Sequence, residues 1–238
     1  MLAEQYRWAL DCLSPYERDF YEIEVERRPR ELYVRRLQRL GFEGFESVLD
    51  IACGLGQWSL ALAELNARVA GIDVSAERLL IANLLAVSAA KTNVEFRWSR
   101  MEALPFAGAA FDAAFCYGAF MFGNGKETLR ELHRVLRPNA LLYVNANGAG
   151  FYLSRVRQRG LSGALALLRM TANGAAGRDA NRTYSRRRLA RLLEENGFAV
   201  QQVADEGAIG GTEAGAAPFY PGKWHGLDAV FEVLARRR

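Results

Sequence analysis

A glycine-rich turn beside an acidic residue is the part of this sequence best suited to hold a small charged ligand. The apolar run 47–52 is typical of a buried strand, and the segment 53–56, which reads CGLG, leads from it into a helical pattern. Glycine lets a ligand approach the backbone, and the first N–H groups of a helix favour an anion. Asp50, at the strand end, suits a cation. The pattern predicts a site for a ligand that carries both an ammonium and a carboxylate, such as an amino-acid moiety.

A dinucleotide site is the main alternative for such a turn. The dinucleotide fingerprint G-x-G-x-x-G needs a third glycine three places after the second, and Ser59 stands there in this chain. The carboxylate of Asp50 would also repel a pyrophosphate. The sequence therefore disfavours NAD.

Several further motifs follow the turn in a fixed order. They are LDIACGLGQWSLALA (49–63), AGIDVS (70–75), MEALPF (101–106), FDAAFCYGAF (111–120) and LRELHRVLRPNALLYV (129–144). Together they resemble the class I S-adenosylmethionine-dependent methyltransferases of the small-molecule type. The resemblance covers about residues 47–146, and 183–204 weakly. It implies S-adenosyl-L-methionine as the cofactor and methyl transfer by in-line displacement as the reaction.

The resemblance also implies a set of cofactor-binding residues. Asp50 and the backbone of the turn would hold the methionine end, Asp73 would accept both ribose hydroxyls, and the Met101 backbone would pair with the adenine edge. The full set is Asp50, Ala52, Cys53, Gly54, Gly56, Trp58, Asp73, Val74, Arg100, Met101, Glu102, Cys116 and Tyr117.

Two positions depart from the family pattern. Ala52 replaces the first glycine of the turn, a tolerable change if its φ is negative. Arg100 stands where an acidic residue commonly caps the adenine amine, and a guanidinium cannot accept a hydrogen bond. Glu102 is the candidate substitute. A catalytically inactive cofactor-binding homologue therefore stays open as an alternative function.

The acceptor side is less well marked. His225, in the loop PFYPGKWHGLD, is the candidate catalytic base, with a plain surface histidine as the alternative. The candidate substrate-binding residues are Tyr117, Phe120, Met121, Asn145 and Arg155. They predict a small-molecule acceptor, most simply an oxygen of a metabolite, glycan or lipid-linked intermediate. With two histidines and no metal-ligand spacing, no catalytic metal is expected.

An RNA or DNA methyltransferase is a second alternative. The pI of about 9.1 and the arginine runs 186–188 and 236–238 invite it. Both runs are typical of a solvated helix face or a chain end. The segment CYGAF also lacks the Asn/Asp-Pro-Pro-aromatic signature that holds a flipped base in amino-methylating nucleic-acid enzymes. A nucleic-acid partner is therefore disfavoured.

The elements that must position these residues alternate between strand and helix. Predicted strands cover 47–52, 68–73, 94–99, 111–117, 140–146, 198–204 and 228–235, and predicted helices include two over 15–40 that break at Pro29, one over 126–137 that stops at Pro138, and one between Ser185 and Gly197. This order predicts an α/β fold: a doubly wound, mostly parallel seven-stranded sheet with helices on both faces. We expect a single Rossmann-like methyltransferase domain over 1–238, with an N-terminal helical lid (1–40) and a helical cap insertion (151–178).

Composition limits the class of protein. The 238 residues carry 31 Lys+Arg against 27 Asp+Glu, and 50% are hydrophobic, which is typical of a globular chain. Cys12, Cys53 and Cys116 are too far apart for a disulfide framework or zinc knuckle. The first residues carry charges that a signal peptide lacks, and the longest apolar run, 79–90, is too short to span a membrane. The sequence thus favours a soluble, cytoplasmic protein.

Overall fold

The computed structural model describes residues 1–157, 182–211 and 219–238. The strands are β1 (Val48–Ile51), β2 (Val69–Asp73), β3 (Val94–Trp98), β4 (Phe111–Cys116), β5 (Leu136–Asn147), β6 (Phe198–Asp205), β7 (Lys223–Trp224), β8 (Leu227–Asp228) and β9 (Val230–Arg237). Seven of them form one sheet in the order β3-β2-β1-β4-β5-β9-β6, and β7 pairs with β8 in a small hairpin. Neighbouring strands from β3 to β5 are parallel, while β9 runs antiparallel to both β5 and β6. The predicted seven-stranded, mostly parallel sheet is confirmed.

Helices connect the strands. They are α1 (Pro15–Tyr21), α2 (Arg30–Arg39), α3 (Gln57–Leu65), α4 (Ala76–Ser88), α5 (Gly125–Val135), α6 (149–157) and α7 (Arg186–Glu195). Two 3-10 helices, Glu4–Cys12 and Phe120–Phe122, and a π-helical segment, Glu22–Arg27, complete the set. Pro29 is the N-cap of α2, so the predicted break lies where a proline ring prevents helix continuation.

The alternation of side chains along β4 explains why helices cover both faces of the sheet. Phe115 packs into a buried cluster with α2 and α3, whereas its neighbours Ala114 and Cys116 belong to the cluster that contains α5 and α7. Successive side chains of a strand point to opposite faces, so an apolar run is buried on both sides only when both sides carry helices.

The predicted end of the helix at Pro138 is wrong. Helix α5 ends at Val135, and β5 begins at Leu136 and runs through Pro138. A residue before proline is pushed toward extended backbone, which ends the helix early. Asn139 then takes a left-handed φ of 63°, and the pairing of β4 with β5 shifts register between Phe111 and Ala113. The proline therefore sits in an irregular strand start.

Two further differences concern the chain segments outside the sheet. The predicted strand 228–235 starts later, at Val230, because Asp228 belongs to the β7–β8 hairpin. Of the predicted cap insertion, residues 151–157 lie in α6 and residues 158–178 lie outside the described residues. Within the described part of the chain, no helix has the length and apolarity needed to cross a bilayer.

Candidate active site

A cavity of about 480 Å³ lies at the carboxyl ends of β1, β2 and β4. Sheet order reverses at β1, and such a switch point is where open α/β sheets bind ligands. Nine of the residues predicted to bind the cofactor line this cavity: Asp50, Ala52, Cys53, Gly54, Trp58, Asp73, Val74, Met101 and Tyr117. The strand ends and the glycine turn thus bring together residues spread over 68 positions of the sequence.

The two glycines of the turn have different functions. Gly54 has a φ of 56°, and a Cβ added to it would meet nothing within 4 Å, so the backbone there is open to the cavity. Gly56 has a φ of 81° and precedes α3, where a Cβ would lie 2.9 Å from the Cβ of Ala82. Gly54 therefore gives a ligand access, and Gly56 lets α3 and α4 pack closely, although Gly56 itself does not line the cavity.

Ala52 does not meet the condition under which it would be tolerable. Its φ is 54°, in the left-handed region, while it lines the cavity. An alanine in that conformation brings Cβ too close to the following carbonyl, at a cost of about 1–2 kcal/mol. Ala52 therefore has the left-handed backbone conformation that glycine adopts more readily.

Replacing Ala52 by glycine should stabilise the protein. The relief of left-handed strain exceeds the entropy that glycine adds to the unfolded chain, which is about 0.4–1 kcal/mol. We expect the free energy of unfolding to rise by up to about 1 kcal/mol and Tm by roughly 2–4 °C, measured by urea and thermal denaturation.

The matched control is Ala90→Gly. Ala90 also has a left-handed φ, 50°, but lies just after the end of α4, outside the cavity. It should give a gain of similar size. A stability loss in Ala52→Gly together with a gain in Ala90→Gly would contradict the assignment of strain to Ala52.

Asp73 is a buried carboxylate that ties three elements to the cavity. Its Oδ2 accepts a hydrogen bond from Gly54 N and its Oδ1 accepts one from Ser75 N, both at 2.9 Å. Ser75 in turn is the N-cap of α4. The end of β2, the glycine turn and the start of α4 therefore hold the carboxylate in one place, and the predicted ribose contact stays a prediction.

Asp50 and Gln57 both line the cavity and carry oxygen acceptors with few hydrogen-bond partners. Asp50 is fully buried, and Ser59 Oγ donates to its Oδ2 at 2.5 Å. Burial raises the pKa of Asp50 to about 7, the Ser59 hydrogen bond lowers it and the charge of Asp73 raises it further. Gln57 Oε1 is buried without a hydrogen-bond partner among the residues the structure describes. The Asp50 carboxylate and Gln57 Oε1 can therefore each accept a hydrogen bond from a donor group of a ligand.

The structure does not bring Arg100 and Glu102 to the cavity wall, although Met101 between them lines it. Glu102 Oε1 accepts a hydrogen bond from Asn124 N at 2.8 Å, and its Oε2 lies 3.6 Å from Arg100 Nε. Glu102 therefore holds the loop before α5. Ser99 lines the cavity beside Met101.

The apolar loop after β4 reaches the cavity, but not through the predicted substrate-binding residues Phe120 and Met121. Gly118, Ala119 and Phe122 line it, whereas Phe120 and Met121 are buried in the core because the 3-10 turn directs them inward. Their predicted substrate contacts are thus not supported by their position.

Two other predicted site residues, Asn145 and Cys116, do not line the cavity. Asn145 is buried and accepts a hydrogen bond from Gly118 N at 2.5 Å, so it fixes the loop. Cys116 is fully buried on the opposite face of β4 from Tyr117 and does not line the cavity.

His225 and Arg155 are not among the described residues that line the cavity. His225 lies at the exposed tip of the β7–β8 hairpin with a left-handed φ of 47°, its ring edge-on to Trp224. Arg155, on α6, places its guanidinium over the ring of Phe151 at 5.2 Å. The geometry therefore gives no support to His225 as a base or to Arg155 as a substrate-binding residue.

Residues from the N-terminal segment close one side of the cavity. Tyr16, Glu17, Phe20 and Glu24 all line it, and Glu17 Oε1 accepts a hydrogen bond from Arg78 Nε of α4 at 2.7 Å. Ser14 is the N-cap of α1, and its Oγ donates a hydrogen bond to Glu17 Oε2. This hydrogen bond is the largest of the causes that lower the pKa of Glu17 to about 2. The segment from α1 to Arg27 thus covers the site, as a lid would; that it opens stays a prediction.

Sequence reasoning missed Glu206, Phe219 and Tyr220. Phe219 and Tyr220 line the cavity, and Tyr117 Oη donates a hydrogen bond to Glu206 Oε1 at 2.8 Å. Burial raises the pKa of Glu206 above its usual range. The segment after β6 reads as an ordinary turn, so only the pairing of β6 with β9 brings Glu206 to Tyr117.

Comparison with known proteins gives a consistent picture. Residues 48–139 match the family model described as a methyltransferase domain. A demethylmenaquinone methyltransferase of Lactococcus lactis subsp. lactis (strain IL1403) is 34% identical over 108 residues, which are 44% of this chain and 43% of that protein. The O-methyltransferase resE of Aspergillus sclerotiorum is 29% identical over 134 residues, 55% of this chain and 49% of that protein. The chain thus spans about half the length of the curated relatives it matches.

A solved structure shares the fold over most of the chain. A geranyl diphosphate methyltransferase, determined in complex with S-adenosylmethionine, superposes with a TM-score of 0.65 at 18% identity, over 90% of this chain and 87% of that one. Likeness at such low identity shows the fold alone. The family match is more specific, because the matched residues 48–139 are those that build the cavity from β1 to the start of β5. Residues 48–139 of the chain therefore resemble a methyltransferase domain, and the chain shares the fold of solved S-adenosylmethionine-dependent methyltransferases.

Proposed function

We propose that this chain is an S-adenosylmethionine-dependent methyltransferase that acts on an oxygen of a small molecule with an apolar, ring-bearing body. The observation that carries the proposal is the cavity itself. It joins the glycine turn, the strand-end carboxylate Asp73 and a wall of aromatic side chains in one space.

The residues present fit S-adenosylmethionine. Gly54 leaves open space where a ligand would approach the backbone, and Asp73 offers a carboxylate that two adjacent hydroxyl donors require. Asp50 and the unpartnered Gln57 Oε1 suit the ammonium of a methionine moiety. The acceptors Asp50 and Gln57 and the carboxylate of Asp73 thus suit the ammonium and the ribose hydroxyls of one molecule.

When bound, S-adenosylmethionine supplies an electrophilic methyl group on a sulfonium and a neutral thioether as the leaving group. The contribution of the chain is to position the acceptor oxygen in line with that methyl group, which is worth roughly 7–11 kcal/mol in favourable cases. Tyr16, Phe20, Trp58 and Phe219 line the cavity with aromatic rings, which favours the displacement of water when the ligands bind.

The aromatic wall supports a ring-bearing acceptor. Trp58 lies 4.7 Å from Tyr117 and 5.1 Å from Phe219 between ring centroids, and all three line the cavity. Aromatic faces favour flat apolar partners. The names of the relatives, a demethylmenaquinone methyltransferase and O-methyltransferases, agree with an acceptor of this kind.

Cofactor affinity should depend on pH through Asp50. The pKa of about 7 means that below this pH the carboxyl must lose a proton to pair with an ammonium. We expect the affinity for S-adenosylmethionine to fall by about tenfold per pH unit below 7 and to level off above it. Titration calorimetry at pH 5.5–8.5, in two buffers of different ionisation enthalpy, measures both the affinity and the released proton.

The same pKa predicts the sign of a stability effect. Because the pKa of Asp50 in the folded chain lies above the ordinary value of 3.8, folding takes up a proton and the unliganded protein loses stability as the pH rises from 3.8 to about 7. Asp50→Asn should remove both pH effects, and Ser59→Ala, which deletes the donor that lowers the pKa, should move the affinity midpoint to higher pH. A flat affinity profile in the wild type would contradict this role of Asp50.

The experiment that tests the function is a screen for methyl transfer. Purified protein with S-adenosylmethionine is incubated with flat hydroxyaromatics such as catechol and 1,4-dihydroxynaphthalene and with sugar alcohols. Release of S-adenosylhomocysteine and a product heavier by one CH₂ are measured. Turnover confined to hydroxyaromatics is expected. Cofactor binding without turnover on any acceptor would favour the inactive homologue.

A further inference from the structure

Two tyrosine–carboxylate pairs lie side by side between β4, β5 and the edge strands. Tyr117 Oη donates to Glu206 Oε1 at 2.8 Å, and Tyr143 Oη donates to Glu232 Oε2 at 2.9 Å. The two tyrosine rings are stacked, 6.4 Å apart and 5° from parallel. The pairs are alike in chemistry but differ in what else contacts their carboxylates.

The Tyr143–Glu232 pair is satisfied within the core. Glu232 also accepts hydrogen bonds from Arg36 Nη2 and from Ile209 N, and Arg36 and Glu232 are 1% and 0% exposed. A buried carboxylate with a guanidinium and two further donors has its charge compensated. Nothing about this pair requires a role beyond structure.

The Tyr117–Glu206 pair is different. Tyr117 lines the cavity, and Glu206 is buried with a long 3.4 Å contact from Tyr220 N as its other hydrogen bond. No cation forms an ion pair with Glu206 among the described residues; Arg36 acts on it only at a distance, as does the like charge of Glu232. A buried carboxyl with so little compensation costs stability, and such groups cluster at functional sites.

This inference rests on the proposed function and deepens it. We propose that Tyr117 and Glu206 together take the proton of the acceptor hydroxyl, with Tyr117 in contact with the acceptor and Glu206 acting through Tyr117. Donation to Glu206 leaves the lone pairs of Tyr117 Oη able to accept the acceptor's proton. In this proposal, the Tyr117–Glu206 pair has the role of catalytic base that the sequence analysis assigned to His225.

The step balances in protons and electrons. The acceptor oxygen forms a bond to the methyl carbon as the carbon–sulfur electron pair returns to sulfur. The hydroxyl proton moves to Tyr117 Oη, and the proton of Tyr117 moves to Glu206 Oε1. Glu206 releases this proton to solvent after the product has left. Burial raises the pKa of Tyr117 well above its usual value, so tyrosinate is not formed and the proton ends on Glu206. The raised pKa of Glu206 brings it toward the range where a carboxylate accepts protons at neutral pH.

The probe for this proposal is 4-nitrophenol, whose absorption spectrum distinguishes phenol from phenolate. It is titrated into the protein loaded with S-adenosylhomocysteine, at a pH below the pKa of the free probe. With the wild type we expect the phenolate band to appear on binding. Glu206→Gln and Tyr117→Phe should reduce the intensity of that band by at least about tenfold at saturating probe, because each variant removes a group that takes up the proton of the phenol.

Tyr143→Phe is the matched control, because it removes the same hydroxyl from the compensated pair. It should keep the phenolate band even if it lowers Tm as much as Tyr117→Phe does. A band unchanged in Glu206→Gln, a band lost equally in Tyr143→Phe, or no binding of the probe to the loaded wild type would each overturn the proposal. Calorimetric titration of S-adenosylmethionine into Glu206→Gln separates this failure from that of the proposed function, because Glu206 does not line the cavity and is not among the predicted cofactor-binding residues.

Discussion

Replacing Arg36 by methionine should lower the free energy of unfolding by about 3–5 kcal/mol. Arg36 is buried, donates to Ile209 O at 2.8 Å and pairs with Glu232, whose other oxygen accepts from Ile209 N at 2.7 Å. Methionine fills a similar volume but leaves the Glu232 charge without its cation. The contact joins α2 to β9 and to the segment after β6, so its loss weakens the edge of the sheet that carries Glu206.

Urea denaturation at pH 7 measures this effect, and two controls define it. The double variant Arg36→Met/Glu232→Gln should recover most of the loss, because the uncompensated charge is gone. Arg27→Met breaks the exposed Arg27–Glu22 pair and should change stability by less than about 1 kcal/mol. A single Arg36 variant as stable as the wild type would contradict the structural role of the pair.

Much of the cofactor side could be predicted from the sequence because its signals are local. The glycine turn between 53 and 56 follows β1, which contains Asp50, and Asp73 is the last residue of β2. Parallel strands place their carboxyl ends at one edge of the sheet. The position of Asp73 in the sequence therefore already determines its position in the cavity.

The acceptor side depends on long-range pairing, which a single sequence does not reveal. Glu206 reaches Tyr117, 89 positions away, only because β9 lies between β5 and β6. Arg36 and Glu232 meet across 196 positions. Neither pair has a local pattern that would mark it.

Some local sequence motifs led to wrong predictions of side-chain position, because a motif specifies the type of a residue but not the direction in which its side chain points. The loop after β4 lies at the cavity, but its 3-10 turn buries the predicted substrate-binding residues Phe120 and Met121 and exposes Phe122. The segment around His225 contains residues suited to chemistry, but they form a hairpin tip. In Ala52, the sequence showed the departure from glycine, while only the backbone shows that the left-handed conformation is kept.

Replacing Asp73 by alanine should abolish tight cofactor binding. Two hydroxyl donors on a carboxylate contribute about 1.5–3 kcal/mol each, so their joint loss corresponds to an affinity at least about 100-fold weaker. Alanine also removes the acceptor of Gly54 N and Ser75 N, which fix the turn. Asp73→Asn, which keeps one oxygen, should lie between the wild type and Asp73→Ala.

Asp112→Ala is the matched control for this substitution. Asp112 is also a carboxylate on a strand and accepts a hydrogen bond from a backbone N–H, that of Ser47 at 2.9 Å. It lies at the opposite end of the sheet, near the start of β4, and outside the cavity. Its replacement should cost stability but leave cofactor affinity unchanged.

Calorimetric titration of S-adenosylmethionine into the wild type, Asp73→Ala and Asp112→Ala at pH 8 tests the central claim most directly. We predict saturable, one-to-one binding in the micromolar range for the wild type and Asp112→Ala, and at least about 100-fold weaker binding for Asp73→Ala. Equal affinity in all three proteins, or no heat from the folded wild type at millimolar ligand, would contradict the assignment of this cavity to the cofactor.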